Sequence, residues 1–141
     1  MKIFFVTITL LLVACARPDY LDPQQNTKQD SPEQSSNCDF IFANSQNCAQ
    51  LEWTKGPQSP AESEFIVKLS LPLKNPSQTL SAVLWMPSMG HGSSPVKIEK
   101  IEEGVFRINK VFFIMPGDWE IRFYIKDTTT IFDQATVKLT L

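Results

Sequence analysis

Short runs in which every second residue is apolar place the strongest constraint on the fold. In the clearest run, apolar Trp119, Ile121, Phe123 and Ile125 alternate with charged or polar side chains. Successive side chains point to opposite faces of a β-strand, so a period of two predicts a strand with one buried face. Residues 65–71 and 137–141 repeat the pattern. No stretch shows the period of an amphipathic helix.

Three further strands are predicted at 80–86, 96–101 and 105–114. The first of these is almost wholly apolar, which is typical of a strand buried on both faces. The third is long, and we expect it to kink near Asn109 and Lys110. Residues 115–118 suit a type II turn, with Pro in its second position and Gly in its third. About seven short strands predict an all-β fold, an antiparallel immunoglobulin-like β-sandwich over residues 38–141.

The N-terminus carries an export signal rather than part of the fold. Lys2 precedes an apolar stretch from Ile3 to Val13, which at about 11 residues is too short for a bilayer that needs about 20. The residues Leu12-Val13-Ala14-Cys15 resemble the lipobox of bacterial lipoproteins, whose cysteine is lipidated. We therefore predict a signal peptide at 1–14 and lipidation of Cys15. The alternative is an ordinary signal peptide with an incidental cysteine.

The segment after the signal peptide is predicted to be a flexible linker. Residues 15–37 are rich in Pro, Gln, Asn, Asp and Ser and contain almost no apolar side chains that could offset the entropy of ordering. By resemblance to lipoprotein sorting, Ala16 and Arg17 after the cysteine favour the outer membrane over inner-membrane retention. We expect a cell-envelope protein that is held to the membrane by its lipid and faces the periplasm.

Two cysteines remain inside the predicted domain. Cys38 and Cys48 flank a short apolar segment and an Asn/Ser turn, and an oxidising compartment permits a disulfide between them. We predict that this bond staples a hairpin. The alternative is a thiolate pair that binds a metal, but no histidine lies nearby in the sequence.

The composition argues against several classes of function. The formal net charge is -2, whereas nucleic-acid binding needs a basic face. A Ser-His-Asp triad would have to use the one histidine, and neither a Gly-x-Ser-x-Gly motif nor a Gly-rich phosphate loop is present. Glu102 and Glu103 are adjacent and are interpreted as a solvated turn. We expect no enzymatic activity and no nucleic-acid partner.

The loop after the apolar strand at 80–86 has residues suited to a metal. Residues 85–92 contain the only histidine, His91, and two of the four methionines, Met86 and Met89. Thioether sulfur is a soft ligand that favours Cu(I), and imidazole binds copper in either oxidation state. Met115 lies beside the predicted turn at 115–118 and would complete the site if both loops share one end of the sandwich.

A structural interpretation of the same residues competes with the metal site. Met is a common core filler, so Met86 and Met115 would simply plug the sandwich. His91 would bond a backbone carbonyl and hold its loop. Trp85 and Trp119 are expected to be core residues, because each lies among apolar neighbours in a strand.

Two motifs are similar to those of the YtkA-like/FixH-like family. The segments 83–91 (VLWMPSMGH), 104–106 (GVF) and 115–121 (MPGDWEI) match its Met-Pro-x-Met-x-His segment, the Gly before an aromatic strand and the Met-Pro-Gly-x-Trp turn. The resemblance covers roughly residues 63–126. It implies an exported or membrane-attached β-sandwich without enzymatic activity. Some relatives are associated with copper handling or terminal-oxidase assembly, which implies a protein partner in such a process.

Two functions therefore follow from the sequence. The first is an envelope lipoprotein that binds or delivers copper through Met86, Met89, His91 and Met115. The second is a non-catalytic immunoglobulin-like interaction module, or a structural one, without a metal. The two are distinguished by whether these side chains converge at one solvent-reachable rim.

Overall fold

A computed structural model describes residues 38–141, and this part of the chain forms nine β-strands and no helix. The strands are β1 (Phe40–Phe42), β2 (Asn47–Lys55), β3 (Ser63–Leu69), β4 (Gln78–Met86), β5 (His91–Gly92), β6 (Lys97–Glu102), β7 (Val105–Val111), β8 (Asp118–Asp127) and β9 (Thr130–Thr140). Within residues 38–141 no helix is long and apolar enough to cross a membrane. The predicted signal peptide (1–14), the lipidated Cys15 and the linker (15–37) lie outside the described residues.

The strands form two antiparallel sheets. One has the order β1-β2-β3-β7-β6 and the other the order β5-β4-β8-β9. The predicted all-β antiparallel sandwich is confirmed. It has nine strands instead of about seven, and the unpredicted β5 contains two residues, too few to show a period of two.

The buried core follows the predicted alternation. In β8 the side chains of Trp119, Ile121, Phe123 and Ile125 are each at most 2% exposed, while the residues between them are half-buried. The facing sheet contributes Phe65, Val67 and Ile108, which are fully buried. The aromatic rings of Phe65 and Phe123 meet edge to face across the sandwich, with centroids 6.1 Å apart. The two apolar faces therefore bury one another, as a pair of amphipathic sheets must.

Strand β4 departs from the prediction of burial on both faces. Leu80, Leu84 and Met86 are buried, but Val83, on the opposite face, is 43% exposed. Trp85 is also on this outer face and only half-buried, so its placement in the core was wrong. Its indole ring is covered instead by the Arg122 guanidinium, 4.7 Å from the ring centroid. An apolar run thus leaves one face partly open to solvent, and a cation–π contact covers part of that face.

The predicted disulfide hairpin is confirmed. Cys38 and Cys48 are bonded, with Cα atoms 5.4 Å apart, and β1 pairs with β2 in antiparallel register. The disulfide ties the first described residue to β2, so the short β1 is held at the edge of its sheet. The kink predicted near Asn109 and Lys110 is also present, since Lys110 has a positive φ of 56° just before β7 ends.

A buried carboxylate joins the β1–β2 turn to the other sheet. Asp133 of β9 is 1% exposed, and it accepts hydrogen bonds from the backbone N–H groups of Asn44 (2.9 Å), Ser45 (2.6 Å) and Gln134 (2.8 Å). Burial by itself raises the pKa of Asp133, but the hydrogen bonds from Asn44, Ser45 and Gln134 outweigh it and hold the pKa below its usual value. The charged carboxylate therefore closes this side of the sandwich.

Candidate functional site

The β4–β5 hairpin presents the Met/His segment in a tight turn. The Met86 carbonyl accepts hydrogen bonds from the N–H groups of Met89 (3.2 Å) and Gly90 (3.0 Å). Pro87 fits the second position of such a turn because its ring fixes φ, and Gly90 has a positive φ of 67°. The chain then reverses so that His91 pairs directly with Met86. The sequence Met-Pro-Ser-Met-Gly-His thus specifies the turn through its Pro and its Gly.

The three candidate ligands of this hairpin differ in exposure. Met86 is only 2% exposed, and its side chain belongs to the core. Met89, at the tip, is 54% exposed. His91 is exposed as well, and its Nδ1 lies 3.1 Å from the Gly92 carbonyl oxygen. Met89 and His91 are therefore open to solvent, and Met86 supports the hairpin from within.

The second motif is held by the core and by Leu141. The Trp119 indole N–H donates to the Met115 carbonyl at 3.0 Å, which satisfies the polar atom of a tryptophan that is 1% exposed. Gly117 exchanges two backbone hydrogen bonds with Leu141, at 2.8 and 3.0 Å. Gly117 has a positive φ of 135°, a region that favours glycine, but this lies far from the φ of about +80° that a type II turn has at its third position. Residues 115–117 form a bend instead, so the predicted type II turn is wrong. The observed bonds show that this segment also extends the pairing of β8 with β9.

The two motifs touch one another. A Cβ atom added at Gly117 would lie 2.8 Å from the terminal methyl carbon of Met86, so the Met86 side chain ends directly against the Gly117 backbone. Met115, two residues earlier, is partly buried and packs against the core. The β4–β5 turn and the 115–117 segment therefore share one end of the sandwich, which we call the Met-Pro end.

The four predicted ligands all lie at the Met-Pro end, but they differ in their exposure to solvent. Met86 and the segment of Met115 are joined through Gly117, whereas the side chains of Met89 and His91 are exposed to solvent. No three His, Cys, Asp or Glu side chains are grouped as a metal site anywhere in residues 38–141. The soft donors at this end are thioether sulfurs and one imidazole, a donor set that suits Cu(I).

A shallow depression lies beside this end. It has a volume of about 580 Å³ and is lined by Pro87 together with residues from the start of β8 and the end of β9. Glu120, at its border, accepts two hydrogen bonds from Arg122, and the Lys138 ammonium is 4.0 Å from the same carboxylate. The polar groups here are thus largely paired with one another.

Two contacts could not be found from sequence reasoning. The Met86–Gly117 contact joins residues 31 positions apart, and only their shared Met-Pro pattern hinted at a relation. The Arg122–Trp85 contact joins strands whose register no local pattern reveals.

Comparison with known protein families gives a match. The family model described as YtkA-like matches residues 49–123, from β2 into β8, and the matched range contains both Met-Pro motifs. Comparisons with the curated proteins and with the solved structures found no match.

Proposed function

The chain belongs to the YtkA-like family, and on that premise we propose that it is an envelope lipoprotein that binds Cu(I) at its Met-Pro end. The contact of the Met86 methyl group with Gly117 carries the proposal, because it brings the segment of Met115 to the hairpin that bears Met89 and His91. Met89 and His91 are the solvent-exposed ligands and Met115 is the ligand from the second motif. Met86 supports all three from the core.

The chemistry of these donors supports copper over other metals. Thioethers are neutral and soft, so they bind Cu(I) well and hard cations poorly. They need no deprotonation, unlike thiolates, and therefore function where cysteines are oxidised. The Cys38–Cys48 disulfide fits such an oxidising compartment. The role proposed is binding and delivery to a protein partner in metal handling or oxidase assembly, rather than catalysis.

The location belongs to the same proposal. The apolar segment 3–13 and the lipobox-like residues before Cys15 support export and lipid anchoring, with the domain facing the periplasm from the outer membrane. Several acyl chains on one cysteine give stable anchoring, since each buried CH₂ contributes about 0.8 kcal/mol.

A Cu(I) competition titration tests the site. The purified protein should withdraw Cu(I) from a chromogenic chelator, and the double variant Met89→Ala/His91→Ala should not. Ile131→Ala is the matched control, because Ile131 is 52% exposed, close to the 54% of Met89, and lies at the start of β9, away from the Met-Pro end. Equal Cu(I) affinity of the double variant and the unaltered protein would show that Met89 and His91 are not ligands.

A non-catalytic interaction module is the second candidate function. The outer face of β4 favours it, because Val83 is 43% exposed and Trp85 lies beside it under the Arg122 guanidinium. Aromatic and arginine side chains are enriched at protein interfaces. Failure of the unaltered protein to compete for Cu(I) would leave this as the better description.

A further inference from the structure

The two long sides of the sandwich are closed to different degrees. On one side, β1 and β9 approach closely: the Ala43 N–H donates to the Gln134 carbonyl at 3.4 Å, and Asp133 holds the β1–β2 turn. On the other side, β4 and β6 border a groove of about 610 Å³. This groove lies between Leu80 of β4 and Ile98 of β6, and the 73–76 loop closes its end.

Strand β4 has unpaired backbone groups along this side. The Leu84 carbonyl accepts from the Ser93 N–H at 3.1 Å, and the Met86 carbonyl accepts within the hairpin, so both point away from β8. Backbone groups alternate in direction along a strand, so those of Leu80 and Ala82 point the same way. Strand β5 pairs only with Trp85 and Met86 and ends before it reaches them. Among residues 38–141, no backbone group pairs with Leu80 or Ala82 on this edge.

The two edges that face the groove differ in charge. Strand β6 carries four charged residues in six (Lys97, Glu99, Lys100 and Glu102), and Lys100 forms an ion pair with Glu103 at 2.7 Å. Charged edge strands resist pairing with another chain. The open stretch of β4 reads Gln78-Thr79-Leu80-Ser81-Ala82-Val83 and has no charge. Of the two edges, β4 is the one suited to receive a further strand.

We propose that this groove binds an extended acidic segment of a partner protein, which adds to β4 as an extra strand. The N–H and carbonyl groups of Leu80 and Ala82 supply main-chain hydrogen bonds, as in other cases of strand addition. Apolar side chains of the segment face Leu80, Ile98 and Phe106, which line the groove.

The charged residues that line the groove are Lys74, Lys100 and Glu103. Lys100 and Glu103 form an ion pair, whereas Lys74 forms none in the described part of the chain, so the remaining charge is positive and attracts a carboxylate. This surface is independent of the Met-Pro end and of copper.

Amide hydrogen exchange tests the open edge without any ligand. All four residues from Leu80 to Val83 lie opposite β8, but by the alternation along the strand only the N–H groups of Ser81 and Val83 point towards it. In the free protein, the amides of Leu80 and Ala82 should therefore exchange much faster than those of Ser81 and Val83. Equal protection of all four would overturn the proposal. If that protection rises with protein concentration as a dimer forms, a second copy of the chain occupies the edge instead.

The probe for binding is a capped, fluorescent octapeptide in which valine alternates with aspartate, measured by anisotropy with the full-length protein. Binding should protect the amides of Leu80 and Ala82. N-methylation of the peptide nitrogens that face β4 should weaken binding about tenfold or more, since several backbone hydrogen bonds are lost. N-methylation of the other nitrogens should change little. Equal effects of both methylation patterns, or no binding of the peptide, would overturn the proposal.

A charge reversal tests the preference for acidic segments. Lys74→Glu should weaken binding of the aspartate peptide roughly twofold to fivefold, the effect of one exposed ion pair. It should strengthen binding of a peptide with lysine in place of aspartate. Lys138→Glu is the control, because the Lys138 side chain is 80% exposed and lies on β9, away from the groove. Equal effects of Lys74→Glu and Lys138→Glu on peptide affinity would show that Lys74 does not contact the peptide.

Discussion

Replacing Gly117 with alanine probes the contact that joins the two Met-Pro segments. Gly117 has a φ of 135°, where a residue with a side chain costs about 1–3 kcal/mol. Its new Cβ would lie 2.8 Å from the Met86 methyl carbon, whereas carbon atoms pack at about 3.5–4.0 Å. The methyl group must retreat by about 1 Å, and a strained rotamer costs about 0.5–1.5 kcal/mol. We expect Gly117→Ala to lower the free energy of unfolding by about 2–4 kcal/mol.

A double-mutant cycle separates the two costs. Met86→Ala alone should destabilise the protein by about 2–5 kcal/mol, because Met86 is 2% exposed. In the Met86→Ala background the steric cost disappears, so Gly117→Ala should cost about 1 kcal/mol less than in the unaltered protein. Urea unfolding followed by tryptophan fluorescence gives each free energy.

Gly90→Ala is the matched control for this cycle. Gly90 also has a positive φ, 67°, but no atom lies within 4 Å of the position of an added Cβ. The substitution should cost about 1–2 kcal/mol, from the backbone alone, and equally in both backgrounds. If Gly117→Ala also costs the same in both backgrounds, Met86 does not touch Gly117 and the shared end of the two motifs loses its support.

Three further outcomes are expected. Asp133→Asn should destabilise the protein by about 2 kcal/mol at neutral pH, since one buried N–H loses its acceptor. The pKa of Asp133 is lower in the folded than in the unfolded protein, so the stabilisation by its carboxylate is present above the ordinary pKa of 3.8 and shrinks as the pH falls below it. Urea unfolding from neutral pH to below this value measures the cost of Asp133→Asn and its dependence on pH. The exposed Asp118→Asn is the control. Removing the Cys38–Cys48 disulfide with paired serines should cost about 2–3 kcal/mol, as expected for so short a loop, and an unchanged urea midpoint would contradict this. Cys15→Ser should release the protein from membranes on fractionation, and retention in the membrane fraction would show that something other than lipid holds it.

Much of the fold followed from local pattern. The alternation in β8 placed four side chains in the core, and the Asn/Ser turn between two cysteines predicted the disulfide hairpin; both are confirmed. The pattern failed in β4, where Val83 and Trp85 belong to an apolar run yet face outward. An apolar run shows that its residues are compatible with burial, but it does not show whether another element of the fold packs against both faces of the strand.

The Met-Pro segments show how much of the candidate site was open to prediction. Pro87 and Gly90 favour a tight turn, and Gly117 is compatible with a positive φ, which is what the structure has at that position. The backbone conformation at these residues therefore followed from residue type. For Met86 the sequence left two roles open, metal ligand and core filler, and the structure places its side chain in the core, while Met89 three residues later is exposed.

The amino-acid sequence by itself determined that this chain forms short antiparallel strands, where they turn and which cysteines join, because each depends on residues close together in the chain. Only the tertiary structure decided that Met86 ends against Gly117, that Asp133 closes one side of the sandwich and that the edge of β4 stays open on the other. Those features depend on which strands become neighbours. Strand order is set by the packing of the two sheets as a whole, and a period of two residues carries no information about it.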